Sequence, residues 1–430
     1  MHHVILGAGP AGVIAAETLR KAAPADTITL VGGEAEAPYS RMAIPYLIAG
    51  NVAESGTHLR HGSDHFKQLR IDQIQAKALR IEPADHRVVL DNGQTLTYDR
   101  LLIATGSNPV RLSVPGGDSE GVFNCWTLAD ARAIMERVQP GVRVVQTGAG
   151  FIGAIIMESL RLRGAKMTMV AKGDRMVPRM MGEVAGGMIL DWCSAQGVDV
   201  ITEAVFERIE PAQAGQPMKV HLSNGQAIEA DVIISSTGVR PSIAFLDGSG
   251  VATKSGVLTD SRMRTNVEDI FAAGDCAEAF DKASGKPVVS AIQPNAADQA
   301  RVAALNMAGQ PAELKSVPTL NVLDTMGLIS ASFGHWQGVP AEQGGSHADL
   351  TDQTGLRHLN LQFQDDVLIG ANAINWTEHV GVLRGLIDGK VKLGAWKDRL
   401  QDDPTQLMPA YLACAQALGQ WNGPGDERRR

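Results

Sequence analysis

The sequence predicts an α/β chain with two Rossmann-like dinucleotide-binding units in tandem, followed by a third, α+β domain. Three observations predict it. A short apolar strand runs into a glycine-rich turn twice, as HHVILGAGPAG at 2–12 and RVVQTGAGFIG at 143–153, and the leading glycines Gly7 and Gly148 are 141 residues apart. Each copy is followed by a second matching segment, YDRLLIATG ending at Gly106 and ADVIISSTG ending at Gly238, 132 residues apart. Paired βαβ units of this size are what such a long repeat encodes. From about Val317 the pattern changes to short strands, VPTLNVLDTMGLISASFG and LRHLNLQFQDDVLIGANAINW, and then to the amphipathic segment HVGVLRGLIDG.

In the first unit, Gly7-x-Gly9-x-x-Gly12 follows a strand directly and opens a helix. Gly7 permits the tight turn, Gly9 lets the backbone approach a pyrophosphate, and Gly12 lets helix and strand pack closely. The helix N-terminus adds free N–H groups and a positive dipole end. An acid for a ribose hydroxyl is expected at the end of the next strand. TITLVGGEAE offers Glu34, 22 residues after Gly12, with Glu36 as second choice.

Gly148-x-Gly150-x-x-Gly153 repeats the arrangement, and Glu158 follows on its helix. Here the ribose-acid position reads Ala171-Lys172. A carboxylate would repel a 2′-phosphate, whereas Lys172 and Arg175 would attract one. Further on, TNVEDIFAAGDCAE leads to Gly274-Asp275, and QPNAADQARVAALNMAG reads as a helix with Ala296, Ala300, Ala303 and Ala304 at helical spacing. This element belongs with the first unit. The expected division is therefore 1–113 with 246–316, then an inserted 114–245, then 317–420, with a tail at 421–430.

Composition narrows the function. The chain of 430 residues is 44% hydrophobic and 20% charged with net charge −8, and it has no basic stripe for a phosphate backbone, so nucleic acid is not an expected partner. No run reaches 18 continuous apolar residues and no leader pattern opens the sequence, which points to a cytoplasmic protein without membrane insertion. The four cysteines, Cys125, Cys193, Cys276 and Cys414, form no CxxC or CxxxxC. That spacing excludes a zinc or iron–sulfur site of the chain's own and leaves four small buried hydrophobes.

GAGPAG, LIATG, GAGFIG and FAAGD, in this order, resemble the two-dinucleotide-fold flavoprotein reductases over the whole chain. SASFGHWQG and LIGANAINWTEHVGVLRGLIDGK resemble the C-terminal domain of NADH–rubredoxin reductases and of the flavin portion of NADH-dependent nitrite reductases. The resemblance implies FAD in the first unit and NAD(H) in the second, with NADP(H) left open by Lys172 and Arg175. Gly7, Gly9, Pro10, Ala11 and Gly12 would hold the FAD pyrophosphate and Glu34 its ribose. PYSR resembles the family's PYDR, so Arg41 would reach the FAD phosphates. Ala104, Thr105 and Gly106 would line the flavin, Asp275 would hydrogen-bond the ribityl chain, and Gly274 is grouped with the cofactor-binding positions. Pro294, Asn295 and Ala296 would open a helix aimed at the flavin edge, its dipole favouring negative charge there. Ala78 is grouped with the cofactor-binding positions. Gly148, Gly150, Gly153, Glu158 and Gly238 would serve the nicotinamide nucleotide.

The departures carry as much weight. Disulfide reductases of this family place cysteine near residues 40–46, where this chain reads SRMAIPY. It resembles the CGLPY stretch of coenzyme A disulfide reductases with Met42 at the cysteine position, and a thioether forms neither disulfide nor thiolate. The ferredoxin-reductase branch has a lysine near the flavin where this chain has Tyr46, which is thus a candidate beside the reacting ring together with Asn295. The expected activity is electron movement between NAD(P)H and an iron–sulfur or rubredoxin-like carrier. A flavin subunit of a larger complex, such as a 2-oxoacid:acceptor oxidoreductase, fits that expectation. An NAD(P)H oxidase and a non-catalytic flavoprotein subunit with a decayed nucleotide site, favoured by Ala171, are the alternatives.

Overall fold

The computed structural model describes residues 1–62, 64–213, 216–282, 284–317 and 320–416. The expected tail at 421–430, and the last residues of the expected third domain, lie outside the described residues. Contacts divide the chain into two units. The first is Met1–Gly148, Ser159–Met167 and Phe206–Val317; the second is Ala149–Glu158, Thr168–Val205 and the described part of Pro318–Arg430.

The first unit is built on a five-stranded parallel sheet in the order Ile270–Ala272, Arg100–Ile103, His2–Leu6, Thr27–Gly32, Ile71–Gln75. Val4, Ile5, Leu101, Leu102 and Ile103 are fully buried, as befits strands covered on both faces. The helix Pro10–Ala22 starts with Gly9 as N-cap and a proline in its first turn, a position that needs no N–H. It packs against the helix Gln293–Met307, and both carry buried alanines, Ala11, Ala15 and Ala16 on the first and Ala296, Ala300, Ala303 and Ala304 on the second. Gly274 lies beside both Ala11 and Ala296, which puts the starts of the two helices near one another. The unit also holds the parallel strands Val122–Phe123, Val232–Ser235 and Arg143–Thr147, with Val232–Ser235 in the middle.

In the second unit, a five-stranded antiparallel sheet runs in the order Leu320–Thr325, Leu328–Gly334, Val367–Ile374, Arg357–Gln364, Gly345–Asp352. One face is apolar: Phe333, Leu359, Leu361, Phe363 and Ala371 pack with Leu383, Leu386 and Leu407 from the helices that follow. The other face is polar, with Ser330, Ser332, His358 and Asn372 buried and Asn360 and Gln362 part-exposed. The helix Glu183–Ala195 belongs to this unit and lies close to the strand Val367–Ile374. The indole of Trp192 on that helix donates to the carbonyls of Thr325 and Met326 at 3.0 and 3.3 Å.

Candidate functional site

The first glycine turn sits at the end of the strand His2–Leu6. Gly7 has φ +114°, and a Cβ there would strike the carbonyl of Ala104. A Cβ on Gly12 would strike the carbonyl of Gly7, so both positions exclude every other residue on steric grounds. Gly9 is different: a Cβ there would meet nothing within 4 Å. The turn therefore leaves an open cradle at Gly9, at the N-terminus of the helix Pro10–Ala22, where an anion has free N–H groups to meet. Gly274, at φ +83°, lies so close that a Cβ would stand 3.1 Å from Ala11 and 3.7 Å from Ala296. Gly7, Ala11, Gly12, Ala104, Gly274 and Ala296 are thus brought together.

Asp275 follows Gly274 directly. Burial pushes its carboxyl pKa up, opposed by a hydrogen bond from Ser107 and by the nearby Arg41 charge. The Ser107 contact is long, 3.4 Å, and leaves the carboxylate with acceptor capacity to spare. The amide of Gly274 is held by Gln299 Oε1 at 2.7 Å, while Gln299 Nε2 is buried with no partner. Asn295, buried, donates to Ser290 at 2.7 Å, and Gln293 accepts from Ser40 at 2.6 Å. Thr105 Oγ1 donates to the carbonyl of Ser242, and Gly106, at φ +65°, accepts from Ser242 N. An open glycine cradle at a helix N-terminus, a part-buried carboxylate and a second helix N-terminus fit an FAD.

Glu34 and Arg41 meet each other. Arg41 Nη2 donates to Glu34 Oε1 at 2.6 Å, and Tyr39 OH donates to Glu34 Oε2 at 2.6 Å. Arg41 Nη1 bonds Tyr39 OH and the carbonyl of Trp126, and the guanidinium lies 5.5 and 5.3 Å from the two ring centroids. Burial drives the Tyr39 pKa well up, so the phenol stays protonated. Tyr39 and Trp126 are functional neighbours that sequence reasoning missed; Tyr39 stood in the PYSR segment, but nothing local marked Trp126. Ala78 opens the strand Ala78–Glu82 and follows Lys77, whose side chain lies over Gly33, next to Glu34. Tyr46 is 56% exposed on the short helix Ile44–Ile48, and Met42 is 50% exposed in the turn before it.

The second glycine turn repeats the sterics of the first. Gly148 has φ +101°, and a Cβ on it would strike the carbonyl of Ser236, while Gly150 is open. Gly238, at φ +121°, is open as well, and its carbonyl accepts from Val110 N. Gly153 lies buried in the helix Phe151–Leu162. Glu158, further along that helix, has neighbours the sequence did not suggest. Burial raises its pKa, Met326 N–H opposes this by hydrogen bonding, and Asp324 adds to it. Its carboxylate lies beside the hairpin at 324–326. Ala171 is 2% exposed and bonded through its backbone to Ile201 and Ala204, whereas Lys172 is exposed. Arg175 Nη1 pairs with Asp174 at 2.9 Å. All four cysteines are unpaired; burial raises the pKa of Cys125 and Cys193 to about 12 and also raises that of Cys276.

Known proteins resemble this chain. A family model described as pyridine nucleotide-disulphide oxidoreductase matches residues 1–303. The epsilon subunit of an NADH-dependent phenylglyoxylate dehydrogenase from Aromatoleum evansii is 31% identical over 406 residues, covering 94% of this chain and 95% of that one. The ferredoxin–NAD(+) reductase component of a biphenyl dioxygenase system from Paraburkholderia xenovorans is 30% identical over 412 residues, covering 94% and 96%. Among solved structures, a covalent putidaredoxin reductase–putidaredoxin complex aligns with TM-score 0.87 at 22% identity, covering 96% of this chain and 98% of that chain, and this shows the shared fold. The matched residues carry both glycine turns, and two relatives match nearly end to end: the chain belongs to the pyridine nucleotide-disulphide oxidoreductase family and is an FAD- and NAD(P)H-dependent oxidoreductase.

Proposed function

We propose that this chain moves electrons between NAD(H) and an iron–sulfur or rubredoxin-like carrier, as the flavin subunit of a multi-subunit enzyme such as a 2-oxoacid:acceptor oxidoreductase. One observation carries the reading. The 40–46 segment is pinned to the helix Gln293–Met307 by the Ser40–Gln293 bond and exposes Met42, where a thiol relay would need cysteine. A bound flavin accepts two electrons from a reduced nicotinamide and can release them singly, so a 40–46 segment without cysteine suits a one-electron acceptor. The near end-to-end match to a dehydrogenase subunit and to a ferredoxin reductase component supports the same reading.

In this proposal Gly7, Gly9, Pro10, Ala11 and Gly12 hold the FAD pyrophosphate at a helix N-terminus. Asp275 accepts hydrogen bonds from the ribityl chain, and Ala104, Thr105, Gly106, Pro294, Asn295 and Ala296 flank the flavin. Arg41, gripped by Glu34, Tyr39 and Trp126, supplies positive charge beside the phosphates. Gly148, Gly150, Gly153 and Gly238 serve the nicotinamide nucleotide, with Lys172 at its ribose end. The chain divides functionally into 1–113 with 246–316 for FAD, 114–245 for NAD(H) and 317–420 as an interface domain, and it works in the cytoplasm.

Stopped-flow reduction by NADH, followed by reoxidation with rubredoxin, ferredoxin or oxygen, tests this. We expect either carrier to outpace oxygen. Replacing all four cysteines by serine should leave flavin reduction within about tenfold, under roughly 1.4 kcal/mol of barrier. Oxygen outpacing both carriers would select an oxidase. No reduction by either NADH or NADPH would make the chain a non-catalytic subunit.

A further inference from the structure

We propose that Asn372 is a positioning residue for the nicotinamide nucleotide, acting through the turn at Val177 on the second glycine turn. The inference rests on the reading that this turn holds that nucleotide.

Asn372 lies on the polar face of the antiparallel sheet and is only 2% exposed. A buried amide is costly unless it is hydrogen-bonded; apart from a longer contact of 3.3 Å from its Nδ2 to the carbonyl of its strand neighbour Ala371, this one is bonded to a single loop. Its Oδ1 accepts from Gly182 N at 2.8 Å, and its Nδ2 donates to the carbonyl of Met180 at 3.0 Å. Gly182 is also the N-cap of the helix Glu183–Ala195. The amide therefore fixes the loop where it enters that helix.

The same loop contains Val177, 1% exposed, with φ +43°. A β-branched residue in the left-handed region is an outlier that persists only where its surroundings hold it. Two sets of bonds do so. The Val177 carbonyl accepts from Met180 N at 2.8 Å and Met181 N at 2.9 Å, next to the residues Asn372 holds. On its other side, Val177 N donates to the carbonyl of Ala149 at 2.8 Å. Ala149 lies between Gly148 and Gly150, so the series from Asn372 through 180–182 and Val177 ends on the glycine turn itself.

A pyrophosphate cradle binds through N–H groups held in fixed directions, and a small displacement of the turn costs affinity. Removing the Asn372 amide frees 180–182 and lets Val177 relax towards an ordinary φ. That draws its N–H off Ala149. The reacting ring is elsewhere, so affinity should fall while the limiting rate stays. No sequence motif marks Asn372; its relation to Gly182 spans 190 residues.

The test is stopped-flow flavin reduction by NADH with intact holoprotein: wild type, Asn372→Ala, Asn372→Asp, Val177→Gly and Val177→Gly/Asn372→Ala. Asn372→Ala should raise the Kd for NADH about tenfold, with flavin content unchanged and the limiting rate within about twofold. Asn372→Asp keeps the acceptor for Gly182 N but sets a carboxylate oxygen against the Met180 carbonyl in a buried site, so it should raise the Kd at least as much as Asn372→Ala. Glycine adopts φ +43° unaided, so in the Val177→Gly background the effect of Asn372→Ala should shrink below about threefold. A Kd within about twofold of wild type, or an equal effect in both backgrounds, would overturn the inference. So would a loss of limiting rate and flavin in proportion to affinity. If Asn372→Ala does not accumulate as folded protein, Asn372→Ser, uncharged and smaller, carries the same comparison. Wild type reduced by NADH with Asn372 indifferent defeats this inference alone. Wild type reduced by neither nucleotide defeats the nucleotide reading with it.

Discussion

At the residue scale, glycines that look alike in sequence do different work. Gly7 and Gly12 are surrounded by backbone, whereas Gly9 faces open space. Gly12→Ala should therefore disturb folding, because its Cβ collides with the Gly7 carbonyl and backbone cannot give way cheaply. Gly9→Val should fold and fail to hold FAD, because its branches fill the pyrophosphate path. Absorbance of the purified proteins checks this: Gly9→Val is expected colourless and soluble, and a fully yellow Gly9→Val refutes the assignment. The glycine positions were legible in sequence because the constraint is local, a turn followed at once by a helix. Glu158 was not. Its place on the helix was clear, but its partner Met326 lies in a hairpin far along the chain, and no local pattern brings the two together. Glu34 and Arg41 were each identified from a strand end and a short motif, yet their mutual ion pair became visible only once the chain was folded.

At the scale of elements, the helix Pro10–Ala22 is tied to the 58–65 segment through Glu17. Arg60 donates twice to its carboxylate, at 2.6 and 2.5 Å, and His65 bonds it at 2.8 Å. Burial alone would raise the Glu17 pKa, but the hydrogen bonds from Arg60 and His65 win and hold it below the usual value of 4.5. A carboxylate depressed in the folded state stabilises the protein above its unfolded pKa and loses that contribution as pH falls through the folded one. Glu17→Gln should thus cost about 1 kcal/mol near neutral pH. The difference from wild type should vanish in acid, below the ordinary glutamate range, and chemical denaturation across pH would show it. A deficit that persists in acid would mean lost packing and not lost charge. The second strand end makes another prediction. Ala171 is buried, so a substituted acid there would also crowd the core; Lys172, exposed, is the cleaner position. Lys172→Glu should lower the preference for NADPH relative to NADH about tenfold at low salt, near 1.4 kcal/mol, and less at high salt. A change that ignores salt would refute a direct charge contact with the 2′-phosphate.

At the scale of the whole molecule, the two contact units interleave along the sequence. Every residue assigned to FAD lies in the unit made from Met1–Gly148, Ser159–Met167 and Phe206–Val317. The helix Glu183–Ala195 and the start of the helix Phe151–Leu162 belong instead with the C-terminal sheet. Sequence reading placed 317–420 as a separate domain because its strand pattern differs from the repeats, and could not see that the inserted region hydrogen-bonds to it. Trp192 bonds Thr325 and Met326, Glu158 meets Met326, and Asn372 meets Met180 and Gly182. Ending the chain at Val317 would leave these groups without partners and expose the surface that Trp192 covers. An orphaned polar group costs about 1–3 kcal/mol each, and the loop carrying Val177 would lose its anchor. The truncated chain should therefore retain FAD, since its cradle and Asp275 are intact. Flavin reduction by NADH at subsaturating concentration should fall by at least about tenfold, or 1.4 kcal/mol. Flavin content and stopped-flow reduction of the truncated chain check both halves of this. Loss of FAD together with nucleotide binding would mean that the first unit depends on the C-terminal sheet, and undiminished reduction would mean that the anchor does not reach the glycine turn.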